Sequence, residues 1–307
     1  MALPFALLAV ATVWALPPPP PHKYPANCSE GLSRQGEYEV TVLQRDPVPG
    51  SGALIHYPFN TAFNFSFATA WFPAQGGGDG LIVRNVECSD DHHTCTGVAH
   101  PEWTNAGALA VVKADLGLGA AAPKVDPVTE ASVFWAGTPP PPHGSNQRWG
   151  AADPRCAYRA ADKTYYLTWD NCTRNCYPHR STLLSTSKDP FNHDSWTLHG
   201  PLLPGVYTGG ASLLMRDTPP HYAFVGNSNT ANAILLASSQ DGVTWTQQNQ
   251  SFMSNRQGCW DEKGVAAGPQ PERLSNGDYL YIYNIDTGFP FHANTPYLLP
   301  PICVAVV

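Results

Sequence analysis

Charge is scarce in this sequence. Only 13% of the 307 residues are Asp, Glu, Lys or Arg, and 24 acids against 17 bases give a net charge of −7. With no basic stripe to neutralise a phosphate backbone, nucleic acid is not an expected partner. Beyond the N-terminus no apolar run reaches membrane-spanning length, so no membrane contact is expected once that segment is removed. Amphipathic helical periodicity is also missing, because 31 Pro and 26 Gly interrupt nearly every window. There is no Gly-rich phosphate loop leading into a helix and no Ser nucleophile elbow. No metal or other cofactor is expected. The one dense cluster of ligand-type residues, Asp90 to His93, lies inside the Cys88 to Cys95 loop, and adjacent side chains seldom all reach one ion.

What is present begins with an apolar run of 15 residues, Met1 to Ala15, that ends with Val13 and Ala15 at the two positions read by signal peptidase. This gives a signal peptide over 1–15 and a Pro-rich linker over 16–36, in which Pro17 to Pro21 are extended and solvated. One folded unit is expected over 37–307. A secreted, extracellular glycoprotein fits the even set of eight cysteines, with Cys88/Cys95 and Cys172/Cys176 as the simplest disulfide pairs. It also fits four Asn-X-Ser/Thr sequons, at Asn27, Asn64, Asn171 and Asn249.

The folded part carries a repeat. Three aromatic runs, Thr164 to Asp170, His221 to Gly226 and Asp278 to Tyr283, place Tyr166, Tyr222 and Tyr279 at spacings of 56 and 57 residues. About a dozen residues before each stands a segment of small or turn-forming residues: Ala152-Asp153-Pro154-Arg155, Gly210-Ala211-Ser212 and Gly268-Pro269-Gln270-Pro271. The first two runs are followed by a Ser-X-Asp turn and a Trp, at Ser187–Asp189 with Trp196 and at Ser239–Asp241 with Trp245. A period of this size in short Val/Tyr/Phe/Thr-rich runs predicts an all-β protein, a five-bladed β-propeller of four-stranded antiparallel blades. An earlier blade is expected to begin near Phe59 and to include Gly80 to Arg84, Leu109 to Val112 and Ala131 to Trp135, with surface insertions at Gly76 to Gly80 and Pro139 to Pro142. The last blade or blades are expected to be incomplete, since the apolar tail after Tyr283 lacks turn residues and ends at Val307.

Phe59-Asn60-Thr61-Ala62, Leu81 to Arg84, Asp153-Pro154-Arg155, the Ser-X-Asp turn, Trp260-Asp261, Gly268 to Pro271 and Tyr281 to Tyr283 occur in this order. Together they resemble glycoside hydrolase family 130, whose five-bladed propeller is shared with families 43, 32 and 62. The resemblance implies an active site at the axial mouth of the ring, an oligosaccharide or glycan substrate, and β-mannoside phosphorolysis or hydrolysis. Asp153 matches the general acid of the family. A carboxyl group beside a glycosidic oxygen can protonate the leaving group, and the alternative for Asp153 is a loop-capping Asp-Pro turn.

Arg84 and Arg155 match family positions that bind substrate or phosphate, the alternative being inter-blade ion pairs. Asn60 is a further candidate for a sugar contact and Lys263 for an anion contact. Trp149, Trp169 and Trp260 can stack on a pyranose face or fill the core. Inversion needs a second carboxylate roughly 6.5–9.5 Å from the first, and Asp261 and Glu262 are the candidates, ahead of Asp217 and Asp286. Two departures from the family pattern matter: Asn284 in place of His favours a hydrolase over a phosphorylase, and Ala152 in place of Glu removes a carboxylate close to Asp153. Ala152 also leaves open a non-catalytic carbohydrate-binding propeller.

Overall fold

The computed structural model describes residues 69–84, 109–115, 124–126, 132–134, 136–138, 151–171, 181–227, 233–258, 262, 264–274, 276–285 and 302–306. The expected signal peptide and linker lie outside them, as do the Cys88/Cys95 and Cys172/Cys176 pairs, the Asp90 to His93 cluster and the Pro139 to Pro142 tract.

The described residues form four antiparallel sheets in chain order. Blade one contains β1 (Thr69–Pro73), β2 (Asp79–Arg84) and β3 (Leu109–Asp115), with β4 (Lys124–Val125) and β5 (Val133–Phe134) both flanking β3 as a split outer strand. Blade two is β6 (Ala151–Arg159), β7 (Thr164–Asn171), β8 (Ser181–Ser187) and β9 (Thr197–Pro201). Blade three is β10 (Thr208–Leu214), β11 (His221–Asn227), β12 (Ala233–Ser239) and β13 (Thr246–Ser254). In blade four, β14 (Val265–Ala266) and β15 (Glu272–Arg273) share one side of β16 (Tyr279–Ile285), and β17 (Ile302–Val306) takes the other. This is the architecture of a β-propeller.

The repeat maps onto this plan directly. The three aromatic runs are β7, β11 and β16, the second strands of successive blades, and the segments before them are the innermost strands. A second strand is covered on both faces by neighbouring blades, so it is written in aromatic and β-branched residues without polar alternation. In β7 every residue from Thr164 to Asp170 is buried.

The core therefore lies between blades rather than within one. Phe72, Ile82 and Leu109 of blade one pack with Tyr165, Leu167 and Trp169 of blade two, and Trp196 seals the same cluster. Tyr166 and Leu184 of blade two meet Leu213, Ala223 and Trp245 of blade three. Phe224 and Ile234 of blade three meet Val265, Tyr281 and Tyr283 of blade four. Each such side chain removed from water contributes about 1.5–3 kcal/mol, which holds adjacent blades face to face.

The turns explain their own sequence signature. Asp241 Oδ1 accepts the amides of Val243 at 2.8 Å and Thr244 at 2.7 Å, and Ser239 Oγ accepts that of Gly242 at 2.8 Å. The chain thereby reverses and delivers Trp245, whose indole N–H donates to Gly242 O at 3.2 Å.

Within the apolar tail, Ile302–Val306 pairs with β16 from Asn284↔Ile302 to Leu280↔Val306. Two expectations are corrected. Gly76 to Gly80 is not an insertion: Ala74 to Gly78 form the hairpin turn between β1 and β2, closed by Ala74 N donating to Gly78 O at 3.1 Å, while Asp79 and Gly80 already belong to β2. Cys156, counted in the even set, is a free buried thiol whose pKa is raised by burial.

Candidate active site

The innermost strands of blades two, three and four are irregular at one end, at the same place in each. In β6 the pairing passes from Ala152↔Asp170 to Arg155↔Thr168, so Asp153 and Pro154 together oppose Trp169. In β10 it passes from Thr208↔Asn227 to Ala211↔Val225, so Gly209 and Gly210 oppose Gly226. In blade four the break is complete, and Ala267 to Pro271 separate β14 from β15. Bulges of this kind bend a strand and redirect its side chains.

Asp153 sits in such a bulge with φ +47°, in the left-handed region. A non-glycine residue pays on the order of 1–3 kcal/mol to stay there, and the following Pro154 restricts it further. Such strain persists only where the surroundings enforce it. One group that holds it is Arg155. Its Nη1 donates to Asp153 O at 3.0 Å, its Nε to Gly268 O at 2.6 Å and its Nη2 to Ala267 O at 2.6 Å. One guanidinium thus fastens the bulge of blade two to the break in blade four.

Arg155 is partly buried. Desolvation pulls its pKa below the ordinary arginine value, against the opposing fields of Asp170 and Tyr281. The carbonyl of Gly268 also accepts from Ser212 Oγ of blade three, and Gly268 N donates to the Tyr281 hydroxyl at 3.2 Å. Burial raises the Tyr281 pKa, opposed by Ser212, Gly268 and Arg155. Gln270 Nε2 reaches across to Trp71 O of blade one at 3.4 Å.

The other expected site residues divide clearly. Trp169 is corrected: it is 2% exposed, packed between blades one and two, with its indole N–H on Ser185 Oγ at 3.1 Å, and no ring face is left for a sugar. Glu262 accepts from Gly258 N through Oε2 at 3.1 Å, and its carbonyl accepts from Asn255 Nδ2 at 2.7 Å, so both of its oxygen-bearing groups are tied to residues 255 and 258. Arg84 ends β2 opposite Leu109. Asn60, Trp149, Trp260, Asp261 and Lys263 lie outside the described residues, as do Asn27 and Asn64. Of the runners-up, Asp217 falls between β10 and β11, at the end away from the bulges, and Asp286 lies outside the described residues.

Sequence reasoning passed over Asp170. It is fully buried at the end of β7, opposite Ala152, and its Oδ1 accepts from Thr182 Oγ1 at 2.7 Å and from Gly210 N at 2.8 Å. A buried carboxylate needs such donors, and a Thr-Trp-Asp strand end gives little sequence hint of them. Among the described residues, no group of three or more His, Cys, Asp and Glu is placed to hold a metal ion. No helix among them is long and apolar enough to cross a membrane.

Residues 135–294, just over half of the chain, match the family model of β-1,4-mannooligosaccharide phosphorylases of glycoside hydrolase family 130. The chain belongs to this family. Asp153, Arg155, Asp170 and the three irregular inner strands all fall within the matched segment.

Solved structures agree on the fold. A glycosyl hydrolase from Bacteroides ovatus aligns with a TM-score of 0.51 at 16% identity, covering 78% of this chain and 65% of that protein. The β-1,2-mannobiose phosphorylase of Listeria innocua aligns at 0.53 and 17% identity, covering 75% and 71%. A family 130 structure, reported with glycoside hydrolases that target β-1,2-mannosidic linkages in Candida mannan, aligns at 0.56 and 18%, covering 79% and 70%. The chain therefore spans about two thirds of the length of these family 130-like proteins. No match was found among curated proteins.

Proposed function

We propose that this chain is a glycoside hydrolase of family 130 that cleaves β-mannosides or related oligosaccharides with inversion, Asp153 acting as the general acid. The carrying observation is the strained backbone of Asp153, held at φ +47° in a bulge on an innermost strand within the family match. Strain of this kind clusters where a side chain must be aimed. Protonation of the leaving oxygen by a positioned carboxyl contributes about 10²–10⁴-fold. Asp261 is our candidate for the base that activates water.

Hydrolysis is favoured over phosphorolysis by the state of Arg155. Three of its N–H groups are engaged by main-chain carbonyls, which leaves a poor clamp for phosphate. We further propose that the protein is secreted behind the 1–15 signal peptide and glycosylated.

A second reading, a non-catalytic carbohydrate-binding propeller, draws support from Glu262. Its carboxylate is engaged by Gly258 N, and Ala152 stands where the family has a carboxylate.

Turnover of aryl β-mannosides and manno-oligosaccharides, with and without phosphate, tests the proposal. Cleavage by the native chain that is independent of phosphate and, for substrates whose leaving group needs protonation, lost in Asp153→Asn supports the hydrolase. Sugar binding by both proteins with cleavage by neither supports the binding module.

A further inference from the structure

Asp170 stands between two residues that shape the bulge of Asp153 without itself lining it. One of its donors is the amide of Gly210, in the bulge of the adjacent blade. Gly210 lies directly against Arg155: a Cβ on it, at φ +74°, would stand 2.5 Å from Arg155 Nη1. That same Nη1 donates to the carbonyl of Asp153. The contacts thus run from the Asp170 carboxylate to Gly210, from Gly210 to the guanidinium, and from the guanidinium to the backbone of Asp153. The charge of Asp170 also offsets the desolvation of Arg155.

The second donor fixes the carboxylate from its own blade. Thr182 Oγ1 donates to Oδ1, and Thr182 N donates to Thr208 Oγ1 at 2.7 Å, at the start of β10. Asp170 and Thr182 therefore lock the entry of blade three to blade two at the level of the Asp153 bulge. All three side chains, Asp170, Thr182 and Thr208, are buried.

We propose that Asp170 is a positioning residue for Asp153: its charged carboxylate, by anchoring Gly210 against the Arg155 guanidinium, fixes where the Asp153 carboxyl is presented. The proposal rests on the reading of Asp153 as the acid. A displacement of about 1 Å at a reacting group can cost 10²-fold, so a residue that acts only through another can still govern rate.

Leaving-group dependence separates positioning from a purely structural role. A dinitrophenyl β-mannoside departs without protonation, whereas a phenyl β-mannoside requires an acid. In Asp153→Asn, phenyl turnover is expected to fall about 10²–10⁴-fold while dinitrophenyl turnover holds. Asp170→Asn keeps a neutral acceptor for Gly210 N and Thr182 and removes the charge. Its phenyl kcat is expected to fall roughly tenfold or more, with dinitrophenyl kcat within about twofold of the native chain. Should that variant fail to fold cooperatively, Thr182→Val, which removes one donor and keeps the shape, is expected to give the same selective loss at smaller size. Equal loss on both substrates, or no loss on either, in the folded variant overturns the proposal. If Asp153→Asn shows the selective loss and neither Asp170→Asn nor Thr182→Val does, positioning alone is refuted. If Asp153→Asn retains phenyl turnover, or the native chain turns over neither substrate, the acid reading fails and this proposal fails with it.

Discussion

Nε2 of His221 lies 2.9 Å from Nη1 of Arg159, across the boundary between blades two and three at the end of the strands away from the Asp153 bulge. Because Arg159 can only donate, the ring accepts on Nε2 and carries its proton on Nδ1. That Nδ1 is buried and has no hydrogen-bond partner among the described residues. A buried unpaired donor costs about 1–3 kcal/mol, and protonating the ring would add a charge facing a guanidinium.

Acid should therefore weaken the fold through His221. Burial first, then Arg159 and Arg216, lower its pKa, with Asp162 and Asp241 opposing. The unfolded chain takes up this proton near pH 6.5 while the native state refuses it, so stability is full above that pH. It declines as the pH falls below it, until the lowered native pKa is reached. His221→Gln keeps an acceptor for Arg159 and does not titrate. Its urea midpoint is expected to fall less between pH 7 and pH 5 than that of the native chain; equal declines would refute the assignment.

Asp162 acts in the same sense at lower pH. The Arg159 hydrogen bond, then Thr164 and the fields of Arg159 and Lys188, hold its pKa at about 2 against the desolvation that raises it. Its contribution is present above the ordinary carboxylate range and is lost as pH falls toward the native value. Asp162→Asn is expected to flatten the fall in stability between pH 4 and pH 2, read by thermal unfolding. A drop as steep as in the native chain would show that other carboxylates govern that range.

What the sequence made legible, and what it did not, follows from how local each cause is. The Tyr166, Tyr222 and Tyr279 strands stood out because a second strand is buried on both faces, so its composition shows without knowledge of the partner. The Ser239–Asp241 turn stood out because its hydrogen bonds close within five residues. Arg155 looked like an anion clamp, since its carbonyl partners Ala267 and Gly268 lie 112 and 113 residues away. Trp169 was open to a place in the core or against a sugar for a similar reason: nothing in a Thr-Trp-Asp run tells which neighbour covers the indole. The Asp153 bulge depends on one extra residue in a pairing register, which leaves no mark in composition. Ile302–Val306 has no turn residues to mark it, and its position comes from pairing with β16.

The Gly268 position tolerates no side chain. A Cβ there would fall 1.8 Å from Ile282 O, a backbone atom of the neighbouring strand that cannot step aside alone. Its carbonyl also serves Arg155 and Ser212, so any shift disturbs blades two and three as well. Gly268→Ala is expected to cost roughly 3 kcal/mol or more, seen as a lower urea midpoint at unchanged slope. A loss below about 1 kcal/mol would mean that the break between β14 and β15 relaxes freely.

Trp169→Phe separates core from sugar platform. Loss of the Ser185 hydrogen bond and of part of the ring volume is expected to lower stability by about 1–3 kcal/mol. The KM of the folded fraction should be unchanged. A raised KM at native stability would return Trp169 to the binding site.

Asn249 is the described sequon best placed to carry a glycan. It is exposed on β13, the outermost strand of blade three, where Gln248, Asn249 and Gln250 together oppose Leu236 in a wide irregularity between Leu235↔Ser251 and Ala237↔Gln247. The backbone is released from the ladder there, and a bulky group on an edge strand also blocks edge-to-edge pairing. Asn171 is the reverse case, part-buried and paired with both Ala151 and Ser181 at the end of β7 nearest the Asp153 bulge. In a secretory host, enzymatic deglycosylation in heavy-oxygen water is expected to label Asn249 at high occupancy, and Asn249→Gln to lose one glycan in mass. An unlabelled Asn249 in protein recovered from the medium would show that exposure on this edge is not sufficient for modification. Labelling at Asn171 would place a glycan beside the candidate active site and make access to it, rather than the carboxylates, the first determinant of activity.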